Sequence, residues 1–359
     1  METTKLQKPS EGSFLQPKKI SIAEKVENSR LLITSPIDKP REILTIQENG
    51  FSSILMTLGN ISLIQGQAKS RKTFLISFIV VALLLGRTFL KFVGSLPQDK
   101  SKIIYFDTEQ GLHHCKKVQE RIYKLAGLST EIENEHIQYY HLRSYAYKER
   151  REIIDYVIRN TKNVGVVIID GVRDLVSDIN DASEATLITG FLMKMSDEYQ
   201  IHILSVLHEN KGDKNSRGHL GSEMQNKAES VIRVSKESEN KKYSKVEPVY
   251  LRELDFNEFL FEINQDTGQP EILNRAAKKT YSRPQDMDME LHRGWIKEAF
   301  ELETEFSKTK YIEQLKMIAS NFDIRLGDNV LREFVDYQLE HDLIQNIGTD
   351  KNFKLTKKI

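Results

Sequence analysis

The residues with the clearest chemical meaning lie between positions 66 and 73. Gly66 is followed, after five residues, by Lys72 and Thr73, and apolar runs at 61–64 and 74–85 flank this segment. A loop of this kind at the start of a helix presents backbone N–H groups to phosphate oxygens, while the lysine neutralises phosphate charge and the hydroxyl reaches Mg²⁺. The spacing predicts a nucleoside-triphosphate site, although a glycine turn beside a solvated basic cluster is an alternative. The residues predicted to bind the nucleotide are Gly66, Gln67, Ala68, Lys69, Ser70, Arg71, Lys72, Thr73 and Phe74.

Polar residues that follow three other apolar runs could complete such a site. Asp170 ends the run 166–169 and is predicted to hold Mg²⁺ together with Thr73. Glu109, which follows the run 102–106, could deprotonate the attacking water, and His208, after 201–207, could sense the γ-phosphate. Alone, each residue could equally be a cap, a solvated loop charge or a strand-end histidine. Their common position after apolar runs favours nucleotide hydrolysis.

The segment after His208 adds a fourth candidate, Arg217. It lies in the polar, glycine-containing loop 209–222 and could reach the nucleotide of a neighbouring subunit as an arginine finger. The same loop carries further basic residues and could line a channel for single-stranded DNA. A surface charge for Arg217, and a loop that only forms a subunit interface, are the simpler interpretations.

Alternation of strands and helices must position these residues. Strands are predicted at 61–64, 102–106, 137–142, 164–169 and 201–207, and helices at 73–92, 112–126, 148–160 and 183–199. Repeated βα units predict an α/β fold with a mostly parallel sheet and helices on both faces. Runs at 230–234, 249–254 and 259–263 predict an antiparallel extension of that sheet.

The chain divides into four predicted segments. Residues 1–45 form an irregular arm with a short helix near 21–33, residues 46–273 form the ATPase domain, 274–288 form a linker, and 289–359 form a small domain. In the last segment, helices predicted at 291–302, 309–322 and 328–338 precede a β-hairpin. Three helices and a hairpin predict a winged-helix-like domain.

Composition limits the cell compartment and the partners. The 52 basic and 52 acidic residues cancel, so attraction to nucleic acid must come from local patches. The single cysteine excludes an intramolecular disulfide, and with the polar amino terminus it predicts a cytoplasmic protein without a signal peptide. The apolar run 73–86 is about 21 Å long as a helix, too short for a membrane core of about 30 Å.

With these residues the chain resembles the RecA-fold P-loop ATPases, and within them the RepA-like hexameric helicases of plasmids and mobile elements. The resemblance covers residues 36–240 and rests on the loop 60–73, the Asp107-Thr108-Glu109 run, Asp170, His208 and the Ser216-Arg217-Gly218 run. It implies catalytic roles for Lys72, Glu109, His208 and Arg217, and Mg²⁺ ligands at Thr73 and Asp170. Two departures stand out: Arg71 replaces an expected glycine, and Gly171 replaces the usual acidic or hydroxyl residue after Asp170.

The resemblance implies a Mg²⁺-dependent ATPase that forms a ring, expected to be a hexamer, and acts on DNA in replication or mobilisation of a genetic element as a helicase. An ATP-gated assembly protein with slow hydrolysis is the alternative, and a P-loop kinase is a weaker one, since no arginine-rich lid is visible. In a winged-helix domain the third helix would enter the DNA major groove. The corresponding segment here, 325–342, carries a net charge of −3, which disfavours such a contact with DNA. Lysines at 351, 354, 357 and 358 could contact the DNA backbone, so DNA and a protein partner both stay open for this domain.

Overall fold

The computed structural model divides at residue 40 into two compact units, and of the first unit it describes only residues 21–40. The described residues are 21–48, 51–209, 218–237, 240–264, 267–273, 283–301, 303–321, 324, 326–349 and 352–358. In the first unit, helix α1 (Ile22–Ser29) begins with a capping box between Ser21 and Glu24, and its side chains are exposed.

The second unit contains a sheet of nine strands and a smaller sheet of four. The strands of this unit up to residue 273 are, in chain order, β1 (Glu42–Glu48), β2 (Phe51–Thr57), β3 (Ile61–Gly66), β4 (Thr88–Phe89), β5 (Phe92–Gly94), β6 (Lys102–Asp107), β7 (Ile137–His141), β8 (Val164–Asp170), β9 (His202–His208), β10 (Ser230–Lys236), β11 (Ser244–Leu251), β12 (Phe259–Ile263) and β13 (Pro270–Leu273). The helices in this region are α2 (Lys72–Leu85), α3 (Leu112–Leu125), α4 (Tyr147–Asn160), α5 (Ala182–Tyr199) and α6 (Gly218–Lys227).

The large sheet has the strand order β13-β12-β11-β10-β3-β9-β8-β6-β7. From β10 to β7 every neighbouring pair is parallel, and from β10 to β13 every pair is antiparallel. The predicted α/β class, with a mostly parallel sheet and an antiparallel extension, is therefore confirmed. Strand β3 lies in the interior of the sheet, so the loop that follows it is flanked by the ends of β9 and β10.

Helices cover both faces of the sheet. One buried core joins α2 and α3 to one face, with Leu75, Phe78 and Ile122 among its members. A second core joins α4 and α5 to the other face through residues such as Ile154 and Leu192. Strand β8 is buried at all seven positions, as expected for a central parallel strand covered on both faces.

Helix α2 is shorter than predicted from its apolar sequence. It ends at Leu85 instead of continuing to residue 92, because Gly86 adopts a left-handed conformation with φ 59° and ends the helix. The chain then turns into the short hairpin β4–β5. The prediction of a helix over 86–92 is wrong, since Phe89 and Phe92 lie in strands and Leu90 lies in the turn between them.

The four-stranded sheet, ordered β2-β1-β5-β4, was not predicted. Its strand β1 starts at Glu42, so it crosses the predicted boundary between the arm and the ATPase domain. Ile43, Leu44 and Ile46 of β1 are fully buried in the core that contains α2. The sheet therefore packs against the helix that follows the phosphate-binding loop.

The carboxyl-terminal region has its own core. Helices α7 (Met289–Ala299), α8 (Lys308–Asn321) and α9 (Asp328–Glu340) precede the antiparallel strands β14 (Ile344–Asn346) and β15 (Leu355–Lys357). Trp295, Tyr311 and Phe334 are fully buried in it. The order of elements is the predicted one, and the winged-helix assignment stays a prediction.

Residues 274–282 of the predicted linker lie outside the described part. Among the described helices, none combines the length and the apolar character that a membrane span requires.

A buried polar cluster lies at the amino-terminal edge of the large sheet, opposite the phosphate-binding loop. His202 is fully buried, with Nδ1 2.8 Å from the Thr57 carbonyl oxygen and Nε2 2.5 Å from Ser62 Oγ. Since the carbonyl can only accept, Nδ1 carries the proton, and the ring is neutral with Nε2 accepting from the Ser62 hydroxyl. Glu229 accepts from the Thr57 backbone N–H and hydroxyl at 2.6 and 2.7 Å.

The cluster predicts a specific loss of stability in acid. Burial lowers the pKa of His202 from 6.5 to about 4, so the unfolded chain binds a proton there that the folded chain excludes. Stability from this histidine is therefore present above pH 6.5 and is lost as the pH falls towards 4, by about 3 kcal/mol. Denaturant unfolding of the wild type and of His202→Gln between pH 7 and pH 4 should show the variant losing less stability.

Glu229 faces the same cluster and acts in the opposite direction. Burial raises its pKa to about 6, with Arg252 lowering it and Glu253 raising it further, so its contribution is lost as the pH rises through 6. Because Glu229 Oε1 lies 3.4 Å from His202 Nδ1, the two groups are coupled, and the comparison reports the histidine together with its effect on Glu229. Parallel stability curves for the wild type and the variant would contradict a neutral buried His202.

Candidate functional site

Strand pairing brings the predicted site residues to one edge of the sheet. Gly66 at the end of β3 is in register with His208 at the end of β9. Asp107 at the end of β6 is in register with Asp170 at the end of β8. Since β9 lies between β3 and β8, His208 is placed between the phosphate-binding loop and the two acids. The sheet order alone therefore gathers groups that are up to 142 residues apart in sequence.

Lys72 lies at the centre of this edge. Its Nζ donates to the carbonyl oxygens of Gly66 and Gln67 at 2.8 and 3.0 Å, and lies 3.1 Å from His208 Nδ1. The residue is 7% exposed. Burial lowers the pKa of its amine, while Asp170 and Glu109 raise it. The ammonium is therefore held at the mouth of the loop by carbonyl oxygens, with anionic neighbours on the side where phosphates would bind.

The loop has the backbone of a phosphate cradle. Gly66 has φ 157°, and a Cβ there would lie 2.1 Å from the Val234 carbonyl oxygen of β10, so only glycine fits. Lys69 and Arg71 have φ of 64° and 75°, the left-handed region that glycine prefers. The Ser70 hydroxyl is buried without a hydrogen-bond partner among the described residues. A buried hydroxyl without a partner, in a loop whose first position admits only glycine, fits a phosphate group, whose oxygens accept hydrogen bonds.

Asp170 and Thr73 lie together at the predicted Mg²⁺ position. Thr73 Oγ1 is 3.3 Å from Asp170 Oδ2, and the Tyr105 hydroxyl donates to the same oxygen at 2.7 Å. Burial, and then the charge of Asp107, raise the pKa of Asp170 to about 7. A hydroxyl beside a buried carboxylate whose negative charge is crowded by a second acid fits a divalent cation, which relieves that repulsion.

Glu109 is presented by a turn that Asp107 organises. The Asp107 carboxylate is fully buried and accepts from the backbone N–H groups of Glu109 and Gln110 at 3.1 and 2.8 Å. Beyond this turn, His208 Nε2 lies 3.1 and 3.2 Å from the two Glu109 carboxylate oxygens. The hydrogen bond to His208 is the main cause that lowers the pKa of Glu109. Lys72, His208 and Glu109 thus form a continuous polar chain across the edge.

Gly171, noted as a departure from the family pattern, has a steric reason. Its φ is 108°, and a Cβ would lie 2.2 Å from Thr108 Oγ1 and 2.8 Å from Glu109 Cγ. The Thr108 hydroxyl oxygen lies 3.1 and 2.9 Å from the carbonyl oxygens of Asp170 and Gly171. The position must therefore be glycine because the turn that carries Glu109 packs directly on it.

Two cavities flank the loop. One, of about 350 Å³, is lined by Lys69, Ser70, Arg71, Lys72, Thr73, Phe74, Glu109, Gln110, Val118, Arg121, Asp170 and His208. The other, of about 330 Å³, lies between the loop and the β10–β11 hairpin and is lined by Gln67, Ala68, Ser70, Glu209, Arg233, Ser235, Lys236, Glu237, Lys245 and Glu247. The predicted catalytic and metal-binding residues that the structure describes therefore share the first cavity, whereas Gln67 and Ala68 line the second.

Some residues of this region had no signal in the sequence. Glu209 is buried and accepts from Gln65 Nε2 at 2.8 Å and from Arg233 Nε at 2.5 Å, behind the loop. The Arg121 guanidinium of α3 lies 3.6 Å from the centroid of the Phe74 ring. These contacts join segments that are distant in sequence, so only the sheet order could have revealed them.

Arg217, the predicted arginine finger, lies in 210–217, outside the described residues. Lys211 and Lys214 of the predicted DNA-contacting loop lie in the same gap, so the described residues end at Glu209 and resume at Gly218. The roles of these three residues stay predictions.

Two comparisons with known proteins give matches. Residues 49–214 match the model of the AAA domain family. Among solved structures, a crystal structure of the RadB recombinase is similar with 15% sequence identity and a TM-score of 0.41, covering 58% of this chain and 88% of its own. Comparison with curated proteins finds no match. The residues that match this family include the loop 66–73 and the strands β3, β6, β8 and β9, whose ends form the cavity.

Proposed function

We propose that this protein hydrolyses ATP in the cavity between the phosphate-binding loop and the ends of β6, β8 and β9. The observation that carries the proposal is the convergence of Lys72, Thr73, Glu109, Asp170 and His208 on that one cavity. Loop amides and Lys72 would hold the phosphates. Thr73 and Asp170 would hold Mg²⁺, which supplies neutralisation of the phosphate charge when bound.

The remaining residues suit the transfer of a phosphoryl group to water. Glu109 is ionised, since its pKa is lowered, and its carboxylate is about two-fifths exposed, so it can accept a proton from a water molecule. His208 contacts both Lys72 and Glu109. A phosphate that draws Lys72 away from His208 would therefore also alter the hydrogen bond between His208 and Glu109. We assign Glu109 as the base and His208 as the group that links the base to phosphate occupancy.

The proposal extends to a ring, expected to be hexameric, that moves single-stranded DNA as a helicase of the RepA-like class. It is supported by the basic residues Lys211, Lys214 and Arg217 in the sequence after Glu209, since strand β9, which precedes them, ends at the same edge as the cavity. Arg217 in that segment would complete the site of a neighbouring subunit.

Turnover and strand separation test this function. ATP hydrolysis by the full chain should require Mg²⁺ and should rise with single-stranded DNA, and a forked duplex should be opened in the presence of ATP. Lys72→Ala should abolish nucleotide binding or hydrolysis, because it removes the loop's cation. Hydrolysis that DNA does not stimulate, without strand opening, would reject the helicase while keeping the ATPase. Absence of nucleotide binding would reject both.

One observation favours the alternative, an ATP-gated assembly protein that recruits a partner through the carboxyl-terminal domain. Two of the lysines proposed to contact DNA are paired within that domain: Lys354 with Glu305 at 2.9 Å, and Lys358 with Asp342 at 2.7 Å. With the acidic α9, this leaves less positive charge for a DNA backbone. Oligomerisation that depends on ATP, with slow hydrolysis and no unwinding, would favour this function.

A further inference from the structure

Arg71 combines a backbone strain with a long-range contact. Its backbone is left-handed, with φ 75° and ψ 30°, at the position where the loop sequence otherwise calls for glycine. Its guanidinium Nη1 donates to the carbonyl oxygen of Lys242 at 2.6 Å, 171 residues away, in the turn between β10 and β11. A side chain retained at a strained position is best explained by a contact that compensates for the strain.

The same hairpin also supports the start of the loop. Gly66 packs so closely on Val234 of β10 that a Cβ would lie 2.1 Å from its carbonyl oxygen. The loop therefore touches β10 at its first residue and the β10–β11 turn at Arg71. Because Lys72 directly follows Arg71, the backbone angles of Arg71 set the direction in which the Lys72 side chain leaves the loop.

We propose that Arg71 is a positioning residue, which fastens the phosphate-binding loop to the β10–β11 turn and thereby sets nucleotide affinity. This inference rests on the proposed nucleotide site. The Glu262 carboxylate lies near the contact and raises the pKa of Arg71 against the larger lowering effect of burial, while burial and then Arg71 lower the pKa of Lys236. Glu262 also pairs with Lys242 Nζ at 2.6 Å, so one carboxylate is close to both partners of the tether.

Four substitutions in the full chain separate the tether from the strain, with ATP and ADP binding followed by calorimetry. Arg71→Ala removes the tether and keeps the strained backbone, and the dissociation constant should rise about tenfold, as for loss of a hydrogen bond to a charged group. Arg71→Gly relieves the strain but should show a similar loss. Arg71→Lys, which can still donate to the carbonyl, should recover most of the affinity. Lys242→Ala keeps the carbonyl and should bind within about twofold of the wild type.

Two further readouts distinguish positioning from a role in general stability. The loss in Arg71→Ala should lie in KM more than in kcat, because the guanidinium donates to the Lys242 carbonyl oxygen in the hairpin and would act on the nucleotide only through the loop. Hydrogen exchange in peptides covering 240–244 should be faster in Arg71→Ala than in the wild type, without nucleotide. If Arg71 served only general stability, Arg71→Ala would not raise KM more than it lowers kcat. Hydrogen exchange would then also not be faster in 240–244 alone.

Several outcomes would overturn the inference. Wild-type affinity in both Arg71→Ala and Arg71→Gly would show that the tether has no effect. Wild-type affinity in Arg71→Gly alone would show that only the backbone angle at position 71 matters. If Lys242→Ala loses as much affinity as Arg71→Ala, the Lys242 side chain and not its carbonyl oxygen is responsible. Lys72→Ala distinguishes failure of the tether from failure of the proposed function. If Lys72→Ala binds ATP normally, the proposed nucleotide site is wrong. If Lys72→Ala loses ATP affinity while the Arg71 variants keep it, only the tether is rejected.

Discussion

Replacing Glu109 with glutamine should lower ATP turnover by a factor of about 10²–10⁴ and leave nucleotide affinity nearly unchanged. The carboxylate is ionised because the hydrogen bond to His208 lowers its pKa, and it lies in the cavity with Lys72, Thr73 and Asp170. Glutamine has the same shape and can still accept from His208 Nε2, but it cannot take a proton from water. The expected signature is a kcat loss with normal ATP binding, measured by steady-state turnover and by calorimetry.

A matched control is available in the loop that precedes β7. Glu131 is an exposed carboxylate in the loop between α3 and β7, so Glu131→Gln makes the same chemical change outside the cavity. It should hydrolyse ATP at the wild-type rate. If Glu109→Gln retains turnover within tenfold of the wild type, the base is another group. If its affinity collapses together with kcat, Glu109 maintains the cavity instead of activating water.

The elements of this site could be predicted because each strand carries its polar residue at its own end. Lys72, Asp170, Glu109 and His208 all follow apolar runs, and parallel strands bring such ends to one edge. Periodicity also predicted the helices from α3 to α5 within a few residues of their observed bounds. These are local signals, since a strand and its terminal residue are adjacent in the chain.

What could not be predicted depends on contacts between distant segments. Strand β1 pairs with β5, about 50 residues later, and the prediction of a longer α2 covered β4 and the first residue of β5. From the sequence, Gly171 is a departure at the position next to a metal ligand. The fold supplies the reason, because Thr108 occupies the space that a Cβ at position 171 would need. Arg71 looked like a defect in the loop, and only the fold shows its partner in the β10–β11 turn. In each case the deciding neighbour is set by sheet order, which single residues do not encode.

The ring hypothesis makes a second large prediction, for Arg217. If this residue completes the site of a neighbouring subunit, Arg217→Ala should keep ATP binding and cut turnover by about 10³-fold or more, as for the loss of an arginine finger. Glu109→Ala should also be inactive, because it removes the base from the subunit that holds the nucleotide. Each variant therefore retains the half of the interface that the other lacks.

Mixing the two variants tests whether the halves meet between subunits. In a head-to-tail ring assembled at random from equal amounts, about a quarter of the interfaces join an intact Glu109 to an intact Arg217. Turnover should therefore recover to about a quarter of the wild-type rate after the subunits exchange, reduced further if sites must act in sequence. A monomer, or a finger acting within its own chain, predicts a mixture as inactive as its components.

The double variant Glu109→Ala/Arg217→Ala supplies the control for this mixture. Combined with Arg217→Ala it provides no intact finger, and combined with Glu109→Ala it provides no intact base, so neither mixture can form a complete interface. Recovery there would come from residual wild-type enzyme or from a catalytic group other than Glu109 and Arg217. Recovery only in the complementary mixture requires that Glu109 of one subunit act with Arg217 of another, which makes the catalytic unit an interface between two chains.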